Sequence, residues 1–217
     1  IDSTDKDNLS YLFNLFFGPL DLPPVASLEN NRLRVCLVNL CYKIVEINNS
    51  YTEQFLNALM NYNIRSPDDD LRDLTAKTIS KLAKKNQSLI PSLMEKLLES
   101  RTTLENKTEK LLGFAYAYSA LTHAQGVGSL KKDVFDFTDE LSKSNKDTDR
   151  QIACFIFSGL SCLFGAIIEP SLPRILPVLL LLFGDKYDSV RNAAEKAIQG
   201  ITKNLTREIG RASCRER

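Results

Sequence analysis

Apolar residues recur at three- and four-residue spacings in one segment after another, and strict apolar-polar alternation is scarce, so the chain predicts as nearly all α-helix. Longer segments over 28–47, 70–84, 107–122, 149–166 and 188–204 alternate with shorter amphipathic ones over 52–62, 89–100, 131–143 and 172–183. That alternation reads as the second and first helices of a repeated hairpin. Leu71 to Ile79 matches Val190 to Ile198 position by position in character, and Arg34, Arg72, Lys110, Arg150 and Arg191 return at intervals of about 40 residues. The expectation is an all-α, α-α superhelix of about four to five hairpins, none large enough to bury its apolar face alone.

The period is that of HEAT/ARM-type repeats. An acidic residue at the start of the second helix suits its N-terminal dipole, and Asp70, Asp149 and Asp188 are placed for that. Arg72, Arg150 and Arg191 follow one to three positions later, where a guanidinium can reach carbonyls or carboxylates of the adjacent unit. These six are the predicted repeat-stacking residues. Ala153, Ala193, Ala194 and Ala197 permit close helix approach, with Ile79, Leu82, Phe157, Leu160 and Ile198 in the seam. Pro91, Pro173 and Pro177 fall near the starts of first helices, where proline is tolerated early and bends the helix later. Residues 1–22 read as an incomplete first repeat ahead of the Pro-rich break, and the solenoid is expected to run over 1–207.

Composition adds limits. Of 217 residues, 43% are hydrophobic and 25% charged, and the formal net charge is +1. Residues 208–217, EIGRASCRER, match nothing before them and read as a vector-derived tail; without it the body is neutral. A neutral body excludes chain-wide attraction to polyanions and leaves only local patches. The longest apolar run, Ile175 to Phe183, is shorter than the roughly 20 residues of a membrane-spanning helix, which predicts no such span. The chain opens on Ile1 with no leader pattern, which gives the expectation of an internal fragment from a cytoplasmic protein.

Candidate chemistry is sparse. His123 is the single histidine and follows a predicted helix, so it reads as locally bonded rather than catalytic. Gly126-Val127-Gly128 lacks the third glycine and the preceding strand of a dinucleotide loop and reads as a helix-ending turn. Asp68, Asp69 and Asp70 lack calcium-loop spacing and suit a helix start. The cysteines form no CxxC pair. The sequence therefore predicts no catalytic, cofactor or metal site. Lys131 and Lys132 open a helix, the end where cations are disfavoured, so they are either two solvated lysines or a contact for an acidic partner such as ribosomal RNA.

Residues 89–206 carry a further pattern: Gly113, Ala115 and Tyr116 with Ala120, Gly126 before Ser129 and Leu130, then Phe157, Gly165, Glu169-Pro170, Leu176-Pro177, Leu179-Leu180, Phe183-Gly184-Asp185, Val190-Arg191 and Ala193-Ala194. This string resembles the HEAT-repeat region of the general-control translational activators, which is similar in turn to the HEAT part of elongation factor three. It departs from that pattern at Leu111-Leu112, Thr148-Asp149 and Ser171. The resemblance implies a non-catalytic scaffold that binds ribosomes and promotes activation of the kinase phosphorylating initiation factor two alpha during amino-acid starvation. It implies the ribosome and other translation-control proteins as partners, with no cofactor, membrane or small-molecule substrate. The alternatives are a HEAT adaptor of another class, for nuclear transport or phosphatase assembly, and the HEAT region of elongation factor three itself.

Overall fold

The computed structural model describes residues 35–36, 38–39, 42–45, 52–130 and 132–215, with the side chains of 132 and of 206 onward left aside. Among these residues the chain is all helix and no strand. Four hairpins follow one another: α1 (Thr52–Asn61) with α2 (Asp69–Lys85), α3 (Ile90–Ser100) with α4 (Thr108–Ala124), α5 (Lys132–Ser142) with α6 (Asp147–Phe164), and α7 (Leu172–Phe183) with α8 (Asp188–Arg215). The expected segment 28–47 is helical where described, and most of it, with residues 1–22, lies outside the described residues. Helix α8 runs through Glu208 without a break and ends at Arg215.

The second helices form one continuous row, α2 against α4, α4 against α6 and α6 against α8. Position in that row explains their sequences. α4 and α6 are flanked on both sides, and Gly113 through Thr122 and Arg150 through Phe157 are buried without interruption. α4 joins two core clusters, because Phe114, Ala115 and Tyr118 pack toward α5 and α6 while Tyr116, Ala120 and Leu121 pack toward α2. Met94, Leu97, Leu112 and Leu163 touch both clusters, so the apolar seam is continuous from Val38 to Ile201. Small residues let the helices close: a Cβ on Gly159 would stand 2.7 Å from Ser119 Oγ.

Local signals fix the ends. Asp68 caps α2, its side chain accepting from Leu71 N at 2.8 Å. Pro91 and Pro173 occupy the first turns of α3 and α7, and Pro177 lies inside α7. α4 ends before Gly126, whose φ of 101° is the left-handed conformation glycine adopts without a Cβ penalty. α6 ends earlier than its apolar pattern, at Phe164, because Gly165 turns the chain with φ of 54° into a 3-10 segment over Gly165–Ser171.

The helical run Asp147–Phe183 is apolar enough, at a mean hydropathy of 2.0, to pass a length-and-composition test for a membrane span, which the shorter run Ile175 to Phe183 did not suggest. That run is α6, a 3-10 turn and α7 folded back on each other, and 78% of its most apolar window is buried inside the array, so its apolar character is that of the core. Asp70, Asp149 and Asp188 lie in the first turns of their helices. Asp70 is the second residue of α2 and exposed, Asp149 is the third residue of α6, and Asp188 opens α8. The cap falls to Asp68 because the chain turns at Ser66 and Pro67, before the acidic run begins.

Candidate partner-binding surfaces

The loop inside a hairpin has one geometry in three of the four units. Arg72 Nη1 donates to Ser66 O at 2.8 Å, Arg150 Nη1 to Ser144 O at 2.7 Å, and Arg191 Nη1 to Asp185 O at 2.6 Å, each reaching the carbonyl six residues back. The residue at that carbonyl also holds the turn with its own side chain. Ser66 Oγ accepts from Asp68 N, Ser144 Oγ from Lys146 N and Asp185 Oδ1 from Tyr187 N. Ser66 and Ser144 were not singled out from the sequence, and Asp185 was named only within the resemblance pattern, although the constant offset of all three from the arginine was available there. The second unit lacks the device: Lys110 has no planar fork, Leu104 stands six residues back, and the ammonium pairs with Glu105 instead.

The three arginines then diverge. Arg150 crosses to the next hairpin, Nε to Asp185 Oδ2 at 2.7 Å and Nη2 to Oδ1 at 3.1 Å, with both side chains buried. Burial works against the Asp185 carboxylate, but the Arg150 guanidinium and the Tyr187 N–H outweigh it and hold its pKa below the usual range. Arg72 pairs with Asp69 and lies 4.7 Å from the Tyr116 ring centroid on α4. Arg191 stays within its own unit, paired with the exposed Asp188. Asp149 accepts from Ser144 Oγ at 2.8 Å and sits 3.5 Å from Arg101, and Asp70 makes no described contact of this kind. On the first-helix side, Arg174 of α7 reaches Asp136 and Asp139 of α5, each at 2.8 Å.

A polar seam crosses the inner row of helices. Tyr116 OH and Ser158 Oγ are 3.0 Å apart, and Asn204 Nδ2 donates to Ser161 Oγ at 3.1 Å. Next to them, burial raises the pKa of Asp73 and pushes the Cys162 thiol up to about 12. Over this seam opens a cleft of about 400 Å³, between the starts of α2 and α4 on one side and the middle of α8 on the other. Lower in the row, the Nδ1 of His123 lies 2.7 Å from Ser80 Oγ of α2, and its ring meets Phe164 of α6 edge-on at 4.6 Å. Burial, then the nearby Lys84, lowers its pKa.

Two other surfaces stand out. Leu176, Leu180, Phe183 and Tyr187 form an exposed apolar stripe along α7 and its following loop. Lys131 lies outside the described residues; Lys132 is the first residue of α5, and its side chain is likewise undescribed. Among the described residues no group of His, Cys, Asp or Glu is arranged to hold a metal ion.

Comparison with known proteins agrees with this architecture. The family described as EF3 N-terminal HEAT repeat matches residues 113–212. The chain is 34% identical over 120 residues to the stalled ribosome sensor GCN1 of Homo sapiens, covering 54% of this chain and 4% of that protein. It is 33% identical over 135 residues to the eIF-2-alpha kinase activator GCN1 of Dictyostelium discoideum, covering 60% and 5%. With the protein ILITYHIA of Arabidopsis thaliana it shares 25% identity over 211 residues, covering 95% and 8%. The chain thus spans under a tenth of the length of each of these relatives. No solved structure is a significant match. A hairpin array with a continuous seam, a HEAT-repeat match over residues 113–212 and similarity to GCN1 proteins over more than half of the chain together support a GCN1-like HEAT-repeat region.

Proposed function

We propose that this chain is a non-catalytic, cytoplasmic segment of a long scaffold that binds ribosomes and promotes activation of the kinase phosphorylating initiation factor two alpha during amino-acid starvation. The observation that carries this reading is the similarity to proteins named stalled ribosome sensor and eIF-2-alpha kinase activator, over the part of the chain whose hairpins stack without a break. The physical role of such a segment is geometric, since a solenoid holds distant contacts at fixed separation through nearest-neighbour packing. In this reading residues 1–207 are solenoid and 208–217 a foreign tail. In the same reading Arg72, Arg150 and Asp149 keep successive hairpins in register, Arg191 with Asp188 ties its own hairpin, and Asp70 favours the start of its helix. Lys131 and Lys132 offer an acidic partner, ribosomal RNA or protein, a local contact that the neutral body does not otherwise supply.

Co-sedimentation of the intact parent protein with ribosomes tests the reading. Deleting this segment reduces the ribosome-bound fraction and blunts phosphorylation of initiation factor two alpha under starvation, and K131E/K132E lowers binding in a salt-dependent way. Unchanged binding and unchanged phosphorylation after the deletion overturn it.

A further inference from the structure

The cleft over the polar seam has an unusual charge layout. Asp69 and Asp73 of α2 and Glu109 of α4 form one wall, Lys196 and Lys203 of α8 the other, and the floor is apolar and aromatic around Tyr116 and Phe155. Lys196 is exposed and has no ion-pair partner among the described residues. Arg72 is 4% exposed, lies on the acidic wall, and its buried Nε–H has no acceptor, although its other two nitrogens are engaged. A buried donor left without an acceptor costs free energy that an incoming carbonyl or carboxylate oxygen recovers.

We propose that this cleft is a docking site for a short extended peptide segment that carries a basic and an acidic side chain around an apolar one. The volume suits about two to three side chains rather than a folded surface. The lining is balanced, with Asp69, Asp73 and Glu109 against Arg72, Lys196 and Lys203, so a polyanion gains no net attraction there. A uniformly basic segment meets Lys196 and Lys203, and a uniformly acidic one meets Asp69, Asp73 and Glu109. A mixed segment satisfies both walls, and its backbone carbonyls are the right chemistry for the free Arg72 donor. Because one wall belongs to the first and second hairpins and the other to the fourth, an occupant ties together units up to three steps apart and stiffens the curve of the array. This binding does not depend on the ribosome reading; the cleft is a property of the chain by itself.

Fluorescence anisotropy with the whole chain tests it, using labelled octapeptides centred on Lys-Leu-Glu, Lys-Leu-Lys or Glu-Leu-Glu and a labelled oligouridine of similar length. The mixed peptide binds about fivefold or more tightly than either single-sign peptide, the ratio expected of one partly shielded ion pair gained or lost. Lys196→Glu, an exposed position whose variant is checked for unchanged helix content and melting, moves the preference to the Lys-Leu-Lys peptide. Equal binding of all three peptides, tighter binding of oligouridine, or an unchanged ranking in a folded K196E variant overturns the proposal.

Discussion

Removing Arg150 gives the most direct measure of how the hairpins hold one another. Its guanidinium makes two bonds to Asp185 across the hairpin boundary and one to Ser144 O, and the side chains of Arg150 and Asp185 are only 9% and 11% exposed. Exposed ion pairs contribute about 0–1 kcal/mol. Taking away one partner of a buried pair costs about 3–5 kcal/mol, because the other charge is left stranded. Asp185 sits near the buried limit but can rotate toward water, so R150A is expected to lose about 3 kcal/mol. R191A removes a comparable loop bond, but its ion pair is with an 82% exposed Asp188, so it should lose about 1 kcal/mol. Urea unfolding followed by far-ultraviolet circular dichroism measures both. A cycle of R150A, D185N and the double variant isolates a coupling of about 2 kcal/mol at neutral pH. The folded pKa of Asp185 is depressed, so this coupling is fully present above its unfolded value near 4 and fades as pH falls through the folded value. Equal losses for R150A and R191A, or a coupling that survives at strongly acid pH, would refute the reasoning.

Gly159→Ala sets a gain in helix propensity of about 1 kcal/mol against a Cβ placed 2.7 Å from Ser119 Oγ, and a net loss of about 1–3 kcal/mol in urea unfolding, partly restored by S119A, is expected. The folded pKa of His123 lies below its unfolded value, so its contribution is present above about pH 6.5 and declines as pH falls below that. The drop in urea midpoint between mildly alkaline and mildly acid buffer should therefore be smaller in H123Q than in the parent chain. Cys154 and Cys162 are buried with thiols pushed up to about 12, whereas Cys36 is exposed. Brief alkylation under native conditions followed by peptide mass spectrometry should label Cys36 and spare the other two, and equal labelling would count against this packing.

Much of the fold was legible because hairpin and apolar period coincide. The first helices α1, α3, α5 and α7 begin within one residue of the segments read from spacing, as Thr52, Ile90, Lys132 and Leu172. The turn in α6 at Phe164 was missed because the apolar pattern runs on through Ala166, and the positive φ of Gly165, not a change in polarity, ends the helix. The arginine positions were visible as a period, but what each one binds was not. Ser66, Ser144 and Asp185 hold a turn through backbone atoms, and a carbonyl is present at every residue, so composition does not mark it. Arg150 and Arg191 look alike in sequence, and only the placement of Asp185 between them makes one a bridge and the other a local tie.

The cleft was invisible for a deeper reason. Along the chain, Arg72, Lys110, Arg150 and Arg191 are equivalent positions of successive repeats. In space the residues that lie beside Arg72 are Tyr116, then Ser158, then Gly200, through a ring contact, a hydroxyl pair and a glycine against a serine. Gly200 stands nine residues beyond Arg191, so the residues that meet across the four units are not the sequence-equivalent ones, and the later inner helices slide past the earlier. That slide carries the middle of α8, with Lys196 and Lys203, up to the acidic start of α2. Had the helices stacked without it, the acidic starts of α2 and α8 would lie level, carboxylate beside carboxylate, and the opposed walls would not exist. The local sequence pattern sets each helix, but the slide is set by which side chains fit across the boundaries, chiefly Tyr116, Gly159 and Gly200. A bulkier residue at Gly200, which a Cβ would bring 3.0 Å from Ser158 Oγ, should shift α8 and alter peptide binding while every helix remains formed.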